Sequence, residues 1–301
     1  MSHRIFLDVS SLMYRAHFAM PDSIRAPDGR PVAAVHGYLD MVTRLVVSRR
    51  PTDTTHVYDH DWRPTARTDL YPAYKAARPP EPEGLPEQFA LLRDVLNLTG
   101  MPQAQTPDWE AEDAIGALVQ RADQDDVLEM VSGDRDLLQL VRDAPPPVRL
   151  LFTVRGVSEL HEFDEAAVLA KYGVPADRYA EFAILRGDPS DGLPGVHGVG
   201  EKTARALVQT YPSIDAMLAD AGSAGSPKEG PFSGKPALRS KVLAAADYLD
   251  VMRRIVPVNT VAPLAAWAGT RDDAALRSMA ERHGLRGPLT RLLAAIDSTQ
   301  T

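Results

Sequence analysis

The sequence predicts an α/β fold with a mostly parallel, twisted central sheet covered by helices on both faces, followed by a helical second half. Three observations predict it. Apolar, strand-like runs alternate with helix-periodic stretches up to about residue 163. Beyond that point helical stretches dominate and strand signals fade. Acidic residues stand at the ends of the strand-like runs, the edge at which open parallel sheets bind their ligands.

Residues 4–8 (RIFLD) read as a short buried strand. Val35, Leu39, Val42 and Val46 recur at helical spacing and predict a helix over 35–47. Residues 55–59 (THVYD) give a second strand, and 87–98 a helix stopped by Gly100. A helix over 110–120 follows, with Asp108 expected as its N-cap. Residues 127–131 (VLEMV) form a third strand, and 148–153 a fourth after three prolines. The expected division is an α/β core at 1–163, with an irregular arch or gateway at 64–84, and a helical part at 164–301. Residues 221–235 (AGSAGSPKEGPFSGK) read as a flexible loop within the latter.

Composition removes several function classes. There is no cysteine, which excludes disulfides, zinc fingers, iron–sulfur clusters and a thiol nucleophile. The opening apolar run ends at Asp8, too short for a signal peptide, and no run is long enough to span a membrane; a cytoplasmic protein is expected. The net charge of −8 argues against nucleic acid until its distribution is considered. Nine acids belong to the cluster described next, and without them the balance becomes +1.

Those nine come from five separated stretches. Asp8 and Asp59 end strands, and Asp134 and Asp136 follow the third in SGDRD. Glu110, Glu112 and Asp113 open a helix in WEAED, where Glu110 and Asp113 share a face and Glu112 approaches from its side. Asp188 and Asp191 lie in the turn GDPSD. Crowded carboxylates raise one another's pKa unless a cation binds. Hard oxygen donors suit Mg²⁺ or Mn²⁺, and two such ions can activate water for phosphodiester hydrolysis.

LPGVHGVGEKTA, from Leu193, combines flexible glycines with a helix start, a place where backbone amides can hold a phosphate without reading sequence. Lys202 and Arg205 add charge. The helical surroundings argue against a dinucleotide fold, which needs a strand before the glycines. Arg63, Arg67, Tyr71, Tyr74, Lys75 and Arg78 interleave cations with aromatics, a pattern that suits single-stranded nucleic acid. Lys235, Arg239 and Lys241 form a second basic group, read first as a solvated helix face, with contact to backbone phosphates as the alternative.

With these motifs assembled, the chain resembles the 5′-nuclease (flap endonuclease) family, especially the 5′-exonuclease domain of bacterial DNA polymerase I. LDVSSLMYR, VYD, RTDLYPAYKAARPP, WEAED, SGDRDLLQL, LRGDPSDGLPGVHGVGEKTA and KPALRSKV occur in family order between about residues 4 and 255. No polymerase sequence follows, so a stand-alone enzyme is expected. The resemblance implies a helical arch and, at about 185–210, a helix–hairpin–helix-type element binding duplex DNA. It assigns Asp8, Asp59, Glu110 and Glu112 to a first metal site and Asp134, Asp136, Asp188 and Asp191 to a second, with Asp113 close by. Lys75 and Arg78 would polarise the scissile phosphate, Tyr74 would stack on a base, and Arg67 would be a further arch contact. Gly195, Val196, Gly198 and Gly200 would form the phosphate-binding hairpin, with Lys202, Thr203 and Arg205 beside it and a K⁺ ion on its carbonyls. Glu112 departs from the Asp common in bacterial relatives, and Gly192 from the usual Asn.

The implied function is a structure-specific 5′ nuclease using two or more Mg²⁺ or Mn²⁺ ions. Its partner would be DNA with a 5′ flap, nick, gap or free 5′ end. It is expected to act as a monomer, alongside other replication or repair proteins. A related metal-dependent ribonuclease and a catalytically inactive junction binder are the alternatives.

Overall fold

The computed structural model describes residues 2–61, 63–223 and 230–299. The expected Gly/Ser loop at 221–235 therefore lies partly outside the described residues. Seven strands form one sheet in the order β6-β5-β4-β1-β2-β3-β7. They are β1 (His3–Asp8), β2 (Asp53–Tyr58), β3 (Pro102–Gln105), β4 (Val127–Ser132), β5 (Val148–Thr153), β6 (Leu160–Phe163) and β7 (Ala265–Ala268). The five inner strands are parallel, and the two edge strands pair antiparallel.

The helices are α1 (Val9–Ala19), α2 (Ala33–Arg49), α3 (Thr65–Thr68), α4 (Leu85–Thr99), α5 (Ala111–Gln120), α6 (Glu165–Tyr172), α7 (Tyr179–Arg186), α8 (Glu201–Thr210), α9 (Ile214–Gly222), α10 (Pro236–Ala244), α11 (Ala246–Ile255), α12 (Asp273–His283) and α13 (Arg286–Thr299). Successive residues of β1 serve opposite faces, as strand geometry requires. Ile5 and Leu7 join a core with α1, α2, α4, α12 and α13. Phe6 joins a second core with α5 and the helical half. Because both faces are covered, β1, β2 and β4 bury consecutive residues rather than alternating buried with exposed ones.

The chain leaves β1 for β2 and β3 on one side, then returns to β4 on the other. β1 therefore borders a topological switch point, where the carboxyl ends of neighbouring strands open a crevice. Register aligns those ends: Asp8 lies opposite Val57, and Leu7 opposite Val131.

Three details depart from expectation. The N-cap of α5 is Glu110, not Asp108. Asp113 accepts from the Glu110 amide at 3.1 Å, completing a capping box, while Asp108 takes a left-handed φ of 64°. Residues 64–84 hold one helical turn, α3, followed by turns and irregular chain. Pro72, Pro79, Pro80 and Pro82 each withhold an amide that a longer helix would need. Finally, residues 265–299 do not stay with the helical half: β7 pairs with β3, and α13 packs on α2.

Candidate metal centre and nucleic-acid interface

Asp8, Asp59, Glu110, Glu112, Asp134, Asp136, Asp188 and Asp191 line one cleft of about 470 Å³ at the switch point. Each is delivered by local structure. Asp8 ends β1 and caps α1, accepting from the Ser11 amide at 3.0 Å and the Ser132 hydroxyl at 2.6 Å. Asp59 follows β2 and accepts from the Ala111 amide at 2.7 Å. Asp134 accepts from the Asp136 amide at 2.9 Å, and its own amide donates to Ser132 Oγ at 2.9 Å. Asp188 opens a 3-10 turn, Pro189–Asp191, and accepts from the Ser190 amide. These serines in LDVSS and SGDRD aim carboxylates; only their adjacency to acids marked them in the sequence.

One ligand atom each from Glu112, Asp134 and Asp136 lies within 4.8 Å of the others. An all-carboxylate set this tight fits a hard divalent cation. Glu112 thus stands with the pair from β4, across the expected division into two sites. Asp113 does not reach the cleft. It is fully buried, and its oxygens accept from Arg67 at 2.6 and 3.0 Å and from the Asn259 amide at 2.8 Å.

The charge balance within the cleft is uneven. Burial and Asp59 push the Asp8 carboxyl up to about 7. Burial and Glu110 push Asp59 up. Burial and the neighbouring Asp134 hold Asp136 well above the carboxylate range. Burial, with help from Glu110, raises Glu112 despite Arg67. Glu110 is the opposite case: burial would raise it, but Lys75 and Arg67 hold it down to about 2. These carboxyls lack cationic partners in number, which is the condition a divalent ion relieves.

A pH dependence follows. Asp8 ionises near its ordinary 3.8 when unfolded and near 7 when folded, so the folded state binds more protons between those values. Stability of the metal-free protein therefore falls as pH rises from about 4 to 7, while the low Glu110 value costs stability only at more acid pH. A divalent ion must displace those protons. Calorimetric titration with Mn²⁺ at about pH 6, in two buffers of different ionisation enthalpy, should show net proton release. Equal heats in both buffers would contradict the assignment.

The arch cations face inward. Arg67, 1% exposed, donates to Glu110 at 2.9 Å, Glu112 at 2.6 Å, both Asp113 oxygens and the Ile255 carbonyl at 2.9 Å. It is a buried tie, not the expected DNA contact. Tyr74, expected to stack on a base, is buried with its hydroxyl on Glu110 at 2.7 Å. Lys75 is buried against Glu110 and lies 3.8 Å from Asp191. Arg78 is half-buried, 2.9 Å from Asp191. The Lys75 amide donates to the Asp191 carbonyl at 2.9 Å, seating the arch on the 188–192 turn. That contact explains Gly192: its φ is +74°, and a Cβ there would lie 2.7 Å from the Ala73 carbonyl.

The hairpin divides into structural and open parts. The Gly195 amide donates to the Tyr248 hydroxyl at 3.0 Å, and that of Val196 to Leu185 at 3.0 Å, so neither is available to a phosphate. The Thr203 amide donates to the Gly200 carbonyl. Gly198, Gly200 and Lys202 are exposed, and α8 starts without a side-chain cap. Lys241 reaches over the hairpin so closely that a side chain at Gly198 would collide with its ammonium. Arg205 is occupied by the Tyr172 carbonyl and Glu201, and Arg239 by the carbonyls of Ala221 and Ser223 at the end of α9. Lys235 is exposed. Arg135, unmarked in the sequence reading, lines the cleft and donates to Asp188 at 3.1 Å.

Comparison with known proteins agrees with this geometry. Residues 3–173 match the model of a 5′-3′ exonuclease N-terminal resolvase-like domain, and 174–278 that of a 5′-3′ exonuclease C-terminal SAM fold. A 5′-3′ exonuclease of Mycobacterium tuberculosis is 41% identical over 98% of this chain and 98% of its own length. DNA polymerase I of the same organism is 38% identical over 71% of this chain, which covers 24% of the polymerase. The fold is shared with bacteriophage T5 D15 flap endonuclease, solved in a pseudo-enzyme-product complex with DNA and metal ions: TM-score 0.63, 16% identity, 99% of this chain and 100% of that one.

Proposed function

Because the chain belongs to the 5′-3′ exonuclease family and is a nuclease, we propose that it is a structure-specific DNA 5′ nuclease cutting at free 5′ ends and flap junctions. The observation that carries this reading is the convergence of eight carboxylates in one cleft, with the Glu112, Asp134 and Asp136 oxygens within 4.8 Å. Those three, with Asp8, Asp59, Asp188 and Asp191, would hold Mg²⁺ or Mn²⁺. When bound, such ions supply Lewis acidity to a phosphodiester and to the attacking water.

The chain's own residues supply the rest. Gly198, Gly200, Lys202 and Lys241 bind a backbone phosphate of the duplex, and the hairpin carbonyls are the place for a K⁺ ion. The arch places Lys75 and Arg78 beside the carboxylates, where a scissile phosphate meets positive charge in a largely buried setting. Glu110 orients Lys75 and Tyr74 rather than facing substrate freely. The protein acts as a monomer on chromosomal DNA in the cytoplasm; no helix among the described residues is long and apolar enough to cross a membrane.

The test is to map cut sites on end-labelled flap, nicked and gapped duplexes with Mg²⁺, then Mn²⁺, beside matched RNA flaps. Cleavage within a nucleotide or so of the DNA junction, abolished by EDTA, is the expected result. Preference for the RNA flap would shift the reading to a ribonuclease. Binding without metal-dependent cleavage would leave a junction binder.

A further inference from the structure

Among the described residues, three cations line the cleft: Lys75, Arg78 and Arg135. The first two come from the arch and meet the carboxylates at Asp191. Arg135 comes from the turn after β4 and meets Asp188. We propose that Arg135 is a substrate-contacting residue, whose guanidinium leaves Asp188 to hold the DNA phosphate adjoining the scissile one on the side of the duplex. This rests on the nuclease reading above.

Arg135 is the most accessible of the three, with 42% of its side chain exposed against 3% for Lys75 and 30% for Arg78. Among the described residues its side chain makes one hydrogen bond, to Asp188 Oδ2. A guanidinium has five donors in a planar fork, so most of its capacity faces the cleft unspent. Asp188 is buried, but solvent reaches the guanidinium and screens the pair. A phosphate offers the fork two oxygens at once and a stronger, charge-assisted bond.

Asp188 does not depend on Arg135. Its Oδ1 accepts from the Ser190 amide at 3.0 Å and from the Ser190 hydroxyl. Arg186, seated 4.9 Å over the Phe182 ring, stays 3.9 Å from Oδ2. Removing Arg135 from Asp188 therefore leaves the carboxylate both positioned and partly neutralised. Direction follows from the chain path. The 3-10 turn that follows Arg135, Asp136–Leu140, packs on α7, the helix that leads into the hairpin, whereas Lys75 and Arg78 are carried by the arch.

The experiment compares wild type, Arg135→Gln and Arg135→Lys on flap DNAs carrying one neutral methylphosphonate, either at a linkage beside the scissile one or farther away. Arg135→Gln should lose about 10- to 100-fold in single-turnover kcat/KM on unmodified DNA, the scale of one charged hydrogen bond. Arg135→Lys should recover part of it. The neutral linkage on the duplex side should cost wild type a comparable factor and cost Arg135→Gln almost nothing further, because the two changes delete one contact. Mn²⁺ affinity, measured calorimetrically without DNA, should stay within about twofold of wild type, the signature of an intact Asp188. Full activity in Arg135→Gln, losses that multiply at every linkage, or a tenfold loss of Mn²⁺ affinity overturns the proposal. A wild type that binds these DNAs and cuts none strikes the nuclease reading instead; the same linkage series read as DNA affinity then scores Arg135 by the same non-additivity.

Discussion

Replacing Arg67 with Met is expected to destabilise the protein by about 3–5 kcal/mol at neutral pH, a larger loss than at any exposed ion pair in the chain. The guanidinium is 1% exposed and joins α3 to three acids of α5 and its cap, and to the carboxyl end of α11. Methionine fills much of the same volume but leaves Glu110, Glu112 and Asp113 buried without that cation. The pair is not needed for burial as such; the cost comes from stranding its partners. Arg67→Lys should fall between, because an ammonium keeps the charge but cannot span Glu112, Asp113 and the Ile255 carbonyl in one plane. Protonation relieves stranded carboxylates, so the deficit should narrow at about pH 5. Urea unfolding at both pH values, without divalent ions, measures this. A loss below about 1 kcal/mol for Arg67→Met would remove Arg67 from the structural role.

The same residue shows where sequence and structure part. Strands β1, β2, β4 and β5 were legible because each carries a run rich in apolar, β-branched or aromatic residues. Strand β3 (PQAQ), β6 (LHEF) and β7 (AAWA) carry no such pattern. Gln103 lies fully buried in β3 because Tyr58 donates to its carbonyl oxygen at 3.0 Å and its amide donates to Asn97 at 2.7 Å. Those partners are fixed by the fold, not by local sequence.

The acids were legible because strand ends and their order along the chain are local facts. Their roles were only partly so. Helical phase groups Glu110 with Asp113 and sets Glu112 aside. The capping box and Arg67 then consume Asp113, which leaves Glu112 to stand with Asp134 and Asp136. The arch cations read as groups open to nucleic acid because composition does not record that acids tens of residues away would bury them, as the 43-residue separation of Arg67 and Glu110 illustrates. Both departures trace to long-range charge pairing, which neither periodicity nor motif spacing expresses.

Asp134→Asn is expected to reduce cleavage by about 10³-fold or more while leaving DNA binding intact or tighter. Asparagine keeps the side-chain oxygen that accepts from the Asp136 amide at 2.9 Å, so the turn after β4 keeps its shape. What it removes is one negative charge from the group with Glu112 and Asp136, weakening the hold on a divalent ion there. Asp134 also raises its neighbours: it is among the causes that lift Asp136 and Asp191. Its neutralisation should therefore stabilise the metal-free fold even as it abolishes turnover, the reverse of the Arg67 substitutions. The contrast with Asp113→Asn sharpens the test, since that carboxylate is spent on Arg67 and the Asn259 amide. Asp113→Asn should cost stability first and, once folded, retain far more activity than Asp134→Asn. Single-turnover cleavage of a 5′ flap, equilibrium DNA binding in EDTA and urea unfolding separate these outcomes. More than about a tenth of wild-type rate in folded Asp134→Asn would take Asp134 out of the metal centre. Equal loss of rate in both variants would mean that Asp113 and Arg67 belong to the reacting centre, and not only to the frame that holds it.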